Sequence, residues 1–159
     1  LNMYVVSEDS FGKIAICNNT VKENLKTWLS NYRMVNDTID ILDPYIINLA
    51  VDFVVKLKPG HNRDDIHSLA IRKINKLFKD GFFIGESMFV SDIYSALKDI
   101  DEVIDVTSVK ISNKSGGDYS PTTFSINKNM SPDGTQLLCP ANAIFEVKFP
   151  SVDIRGKIL

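Results

Sequence analysis

Cysteine is scarce in this chain, and long apolar runs are missing. Cys17 and Cys139 are the only cysteines among 159 residues, and a pair so far apart matches neither a disulfide framework nor a metal-binding motif. The unbroken apolar runs are only a few residues long, whereas a helix that spans a bilayer needs roughly 20 such residues. The sequence therefore predicts two reduced thiols, no metal site and no membrane partner.

An excess of charge of either sign is also missing. Eighteen Lys and Arg residues oppose twenty Asp and Glu residues, which leaves a formal net charge of -2. Such a chain has no overall electrostatic attraction to nucleic acid or to an anionic membrane. Basic and aromatic residues do not interleave as they do in RNA-binding sheets. No nucleic-acid partner is predicted.

Motifs that carry catalysis are absent as well. No Gly-x-Ser-x-Gly elbow occurs, and Cys17 has no catalytic histidine motif beside it. His61 and His67 do not have the i, i+4 spacing of a zinc-binding helix. Gly116 and Gly117 are not followed by the residues of a phosphate-binding loop. The sequence therefore predicts no enzyme, no catalytic residue and no cofactor.

The composition that is present is that of a soluble globular protein. Apolar residues make up 44% of the chain and charged residues 24%, and the length suits one ordinary domain. The chain begins with Leu1 and carries no signal-peptide pattern, so we expect a fragment or a processed product.

Helical and strand periodicities divide the first 112 residues. A hairpin is expected near Gly12, and a helix that Thr20 and Glu23 cap should run to about Arg33. A long strand from Ile47 to Leu57 has one apolar face and an outer face, including Asn48, that is expected to be solvated. Two more helices and a strand follow. The predicted core comprises Val21, Leu25, Leu29, the odd-numbered residues from Ile47 to Leu57, Ile66, Ala70, Ile74, Leu77, Ile93 and Leu97.

The late part of the chain has a different texture. Residues 113–135 are rich in Ser, Gly, Asn and Lys and show no periodic core pattern. From Ile144 onward, apolar and polar residues alternate again. The order of elements predicts an α+β fold with two layers: a mainly antiparallel sheet with helices on one face, ferredoxin-like, plus an extended C-terminal arm. The predicted division is an assembly domain at 1–112 and an arm or edge extension at 113–159.

The late apolar residues are the candidate interface. They either fold onto the chain's own sheet or pair with the sheet edge of a neighbour, and the pattern does not distinguish the two. The candidates are Phe145, Val147, Phe149 and Val152.

The order of several segments resembles a known family. A helix over Val21 to Tyr32 leads through Arg33-Met34-Val35 to the segment from Asp37 to Ile47, which contains Ile-Asp-Ile-Leu-Asp-Pro. Later segments are Ile84-Gly85-Glu86, Val90 to Tyr94, and Ile104 to Thr107. Together, across about residues 4 to 111, they resemble the C-terminal domain of baseplate wedge proteins of contractile-tailed, T4-like bacteriophages, the baseplate J-like family.

The resemblance implies a structural protein of the virion. It implies no enzymatic activity, assembly in the host cytoplasm, and a place in the tail baseplate beside other wedge proteins. It also implies self-association as a dimer within a ring. The alternative is a ferredoxin-like regulatory domain that binds a small ligand near loops such as Pro59 to Asn62.

Overall fold

The computed structural model describes residues 1–32, 34, 37–79 and 81–159. In this part of the chain the protein is mixed α/β, with five helices and ten strands in sheets that do not close. The helices are α1 (Asn19–Ser30), α2 (Arg63–Lys79), α3 (Val90–Lys98), α4 (Ile126–Asn129) and α5 (Pro150–Asp153). The strands are β1 (Asn2–Tyr4), β2 (Val6–Glu8), β3 (Ile14–Ile16), β4 (Asp40–Leu42), β5 (Tyr45–Leu57), β6 (Met88–Phe89), β7 (Val103–Lys114), β8 (Gln136–Leu137), β9 (Ala143–Glu146) and β10 (Ile154–Ile158).

The chain forms two compact units, residues 1–45 and 46–159. The first unit contains the predicted hairpin, formed by β2 and β3. Its turn places Gly12 at a φ of 73°, a conformation that glycine adopts without strain. Strands β1 and β4 pair in parallel, and α1 follows the hairpin. Arg33 and Val35, which the resemblance includes, lie outside the described residues.

The second unit is built on β5. Strand β5 is antiparallel to β7 and parallel to β10, and β9 also pairs with β5. The odd-numbered residues of β5 from Ile47 to Val55 are buried, as the alternating pattern predicts. A shorter antiparallel pair joins β6 to β8.

Helices α2 and α3 supply the rest of the predicted core. The Asn62 side chain accepts a hydrogen bond from the Asp64 backbone N–H at 3.1 Å, which satisfies a free donor at the start of α2. Ile66, Ala70 and Ile74 then lie one turn apart on the buried face of that helix. Ile93 and Leu97 of α3 join the same apolar cluster.

The division of the chain differs from the predicted one. Strand β7 runs through Ser112 without a break, so the compact units divide at 45/46 and not near that residue. The segment 113–159 supplies two strands that pair with β5. It therefore belongs to the second unit and is not an arm, because its apolar residues complete the core; the buried ones are Leu137, Ala143, Ile144, Phe145 and Ile154.

Five predicted core residues are not fully buried. Val21 and Leu77 are exposed, and Leu25, Leu29 and Leu57 are half-buried. Leu77 continues the helical spacing of the buried residues but lies in the last turn of α2, which ends at Lys79. Among the described residues, no helix has both the length and the apolar character needed to cross a membrane.

Candidate interaction surfaces

Helix α1 has a cap different from the predicted one. The N-cap residue is Asn18, whose side chain accepts a hydrogen bond from the Thr20 backbone N–H at 3.0 Å. The predicted pair of Thr20 and Glu23 is therefore not the cap, because the helix begins at Asn19, two residues before the start that a Thr20 cap would set. Asparagine competes well for this position since its short side chain reaches the free N–H groups.

One side of α1 carries basic residues that pair with the segment around β4. Lys22 lies 2.6 Å from the carboxylate of Asp43, and Lys26 lies 3.8 Å from that of Asp40. Exposed pairs of this kind contribute about 0–1 kcal/mol each. They orient the helix within the first unit more than they stabilise it.

The neighbouring side of α1 carries an apolar stripe that continues just past the helix end, here called the α1 surface: Val21, Leu25, Trp28 and Tyr32. Leu25 is half-buried, and the other three are exposed. Val21 is 53% exposed, Trp28 57% and Tyr32 72%, and the Trp28 and Tyr32 rings lie 4.8 Å apart. The burial predicted for Val21 is therefore wrong, and Leu25, also predicted to lie in the core, is only half-buried. The strands of the first unit are only three residues long, so they offer no broad apolar sheet to cover the stripe.

The four predicted interface residues do not share one exposed face. Phe145 is completely buried, since β9 pairs with β5 of the chain's own sheet, so this residue does not lie on an interaction surface. Val147 packs against the core. The ring of Phe149 meets that of Tyr119 edge to face at 5.5 Å. Val152 alone is largely exposed.

A buried amide ties the segment after β7 to the sheet. Asn48 accepts a hydrogen bond from the Ser120 backbone N–H at 2.7 Å and donates one to Glu146 at 2.7 Å. Asn113 donates to the Asn48 carbonyl at 3.0 Å and accepts from the Phe124 N–H at 2.9 Å. The solvated position predicted for Asn48 is therefore wrong. A buried amide with these partners fixes the path of the covering segment.

A second buried polar contact involves Asp153. Its carboxylate accepts a hydrogen bond from the Tyr119 hydroxyl at 2.6 Å and from the Phe149 N–H at 2.8 Å. The hydrogen bond to Asp153, together with burial, raises the pKa of Tyr119 to about 12. The phenol therefore stays protonated and keeps this contact at every physiological pH.

We expect this contact to make stability depend on alkaline pH. The Tyr119 pKa is about 12 in the folded chain and about 10 in an unfolded one, so the folded state holds the proton more tightly. The contribution to stability is complete below about pH 10 and is lost between about pH 10 and 12. Denaturant unfolding measured across this pH range should show the free energy of unfolding falling more steeply for the parent chain than for Tyr119→Phe. The same pH dependence in both proteins would contradict the assigned hydrogen bond.

The candidate nucleophiles and metal ligands lie apart. Burial raises the pKa of the Cys139 thiol to about 11, which lowers its reactivity, and Cys17 is a buried free thiol. In the described ranges, no three His, Cys, Asp or Glu side chains form a group that could hold a metal ion.

A cavity lies beside α3. It is open, has a volume of about 490 Å³, and includes Tyr94, Lys98 and Asp133 in its lining. Hydrogen bonds from the Ser131 and Thr135 hydroxyls lower the pKa of Asp133 to about 2. A small ligand with both polar and apolar groups would fit such a cavity, which is lined by other residues than the predicted loop Pro59 to Asn62.

No protein-family model matches the chain, and no curated protein sequence matches it.

Proposed function

We propose that the chain is a structural component of a phage tail baseplate wedge and makes the protein–protein contacts that build the baseplate ring. Its place would be the virion, after assembly in the host cytoplasm, beside other wedge proteins. The resemblance across about residues 4 to 111 supports this proposal. The observation that carries it is the α1 surface, because contiguous exposed apolar patches mark interaction sites.

We propose for the second unit the ferredoxin-like, two-layer arrangement that the sequence pattern predicts. Helix α2 contacts β10, α3 contacts β7, and the two helices contact each other. Their buried residues join the odd-numbered face of β5 in one cluster. These contacts support helices on a single face of the sheet, a rigid block suited to assembly.

The proposed occupant of the α1 surface is a second copy of the chain. The members of the surface are spaced by four, three and four residues, the alternation that lines a seam between two paired helices. Trp28 and Tyr32 are the residue types that dominate interface energies. Two copies related by a twofold axis would cover both stripes at once, as the dimer implied by the resemblance requires.

Replacing Trp28 with alanine should weaken self-association. Light scattering across a concentration series should show the parent chain passing from monomer to dimer. The variant should need roughly tenfold more protein, because losing a central aromatic anchor costs about 1–2 kcal/mol or more. The matched control is Phe83→Ala, which removes an aromatic ring that is 81% exposed in the second unit.

The fluorescence of Trp28 also reports self-association directly, because it is the only tryptophan in the sequence. Its emission should shift to shorter wavelength as the concentration rises and the indole leaves water. A parent chain that stays monomeric at every concentration would overturn self-association. An equal loss of dimer in Phe83→Ala would overturn the assignment to α1.

A regulatory domain that binds a small ligand is the second candidate function, and the cavity beside α3 favours it. Titration calorimetry with a panel of small anions and metabolites should then detect a heat of binding that is lost in Lys98→Ala. Ligand binding by a monomeric chain would favour this function over assembly, whereas a dimer that binds no ligand would favour the baseplate role.

A further inference from the structure

An open groove separates the solvent-facing sides of α2 and α3 in the second unit. Its volume is about 670 Å³. Leu69, Leu77 and Ala96 form its apolar part. The complete lining is Leu69, Arg72, Lys73, Lys76, Leu77, Ala96 and Asp99.

The groove has a basic rim. Lys73 is hydrogen-bonded to the Asp99 carboxylate across the groove. For Arg72 and Lys76, the described part of the chain places no carboxylate within 4.0 Å. Three cations thus face one carboxylate, and two of the cations lack an acidic partner there. The described lining of the groove is net positive, although the whole chain carries a formal net charge of -2.

The apolar and basic residues of α2 lie on one face. Positions 69, 72, 73, 76 and 77 follow the i, i+3, i+4, i+7, i+8 spacing of a single helical side. Arg72 and Lys76 therefore lie along one edge of this face, whereas Lys73, which pairs with Asp99, lies between Leu69 and Leu77. A matching ligand must present apolar side chains with negative charge along one edge.

We propose that this groove docks an acidic amphipathic helix of a partner protein. Such a helix places apolar side chains at i, i+3, i+4 and i+7 on Leu69, Leu77 and Ala96. Its carboxylates then face Arg72 and Lys76, and this complementarity selects the partner and speeds association. The inference rests on the proposed function, since it names a partner class for an assembly protein, but it uses none of the residues of the α1 surface.

Nucleic acid fits the groove less well. The lining contains no aromatic ring on which a base could stack. Apolar side chains next to Arg72 and Lys76 favour a peptide, because burying them against apolar side chains of a partner is favourable, and a sugar–phosphate chain has few such groups to offer.

The test uses the full chain and a labelled helical peptide of about 18 residues, roughly 27 Å long. The peptide carries a leucine stripe flanked by glutamates, and fluorescence anisotropy measures its binding. The double variant Arg72→Glu/Lys76→Glu should weaken binding by about tenfold or more. The control Lys128→Glu/Lys157→Glu makes the same charge change at exposed positions outside the groove and should leave affinity within about twofold.

Two further probes decide between sources of affinity. A peptide with lysines in place of the glutamates should not bind, and Leu77→Ser should weaken the acidic peptide. Equal weakening by both double variants would mean unspecific charge attraction and would overturn the proposal. Tighter binding of a single-stranded oligonucleotide, lost in Arg72→Glu/Lys76→Glu, would overturn it in favour of nucleic acid.

The outcome is separable from that of the α1 experiment. Peptide binding by a chain that stays monomeric would support the groove while self-association fails. A dimer that binds no acidic peptide would overturn the groove alone.

Discussion

Replacing Phe145 with alanine should lower the free energy of unfolding by about 3–5 kcal/mol, the range for buried aromatic side chains. The ring is completely buried. It meets Phe82 at 6.1 Å and Phe124 at 5.7 Å, both close to edge-to-face. Removing it leaves a cavity and breaks two aromatic contacts between distant parts of the second unit. Unfolding in urea, followed by circular dichroism, measures the loss.

Val152→Ala serves as the control for Phe145→Ala. Both residues belong to the predicted interface group, but Val152 is 50% exposed, so its truncation should change the free energy of unfolding by no more than about 0.5 kcal/mol. If Phe145→Ala left the unfolding midpoint unchanged, the position of β9 beside β5 would be contradicted.

Adding a single methyl group at Gly156 should destabilise the chain by about 1–3 kcal/mol or more, as overpacking of a core does. The residue lies in β10 directly opposite Phe53 of β5. A Cβ atom there would meet Phe53 Cε2 at 2.7 Å and His67 Cδ2 at 2.9 Å, with Phe53 Cζ nearer still. Since Phe53 is buried, its ring has little room to move away. Urea unfolding of Gly156→Ala measures the cost.

A double-mutant cycle identifies the cause. In a Phe53→Leu background the ring is gone, so Gly156→Ala should cost less than it does in the parent chain, with a coupling of about 0.5–3 kcal/mol. The backbone at Gly156 does not have a positive φ, so the cycle reports on space and not on strain. Additive effects would show that Phe53 is not the obstacle, and would contradict the parallel register of β10 on β5.

Interaction surfaces were the least accessible to sequence patterns. The helical spacing of α1 identifies an apolar stripe, but the same spacing serves a core and an interface. Likewise, alternation around Phe145 marks a strand with an apolar face without naming what covers it. Part of the groove between α2 and α3 is visible in the sequence, as the basic residues from Arg72 to Lys79. Its apolar part is not, because Ala96 comes from a different helix.

The sequence alone determined the elements whose signals are local. The alternation of β5, the apolar spacing of α2 and the hairpin at Gly12 each depend on residues within a few positions of one another. Tertiary structure decided the pairing of β9 and β10 with β5, the burial of Asn48, and the exposure of Trp28. Asn48 forms hydrogen bonds with residues 72 and 98 positions away along the chain. No local sequence pattern specifies such partners, because these contacts form only when the whole chain folds and brings distant segments together.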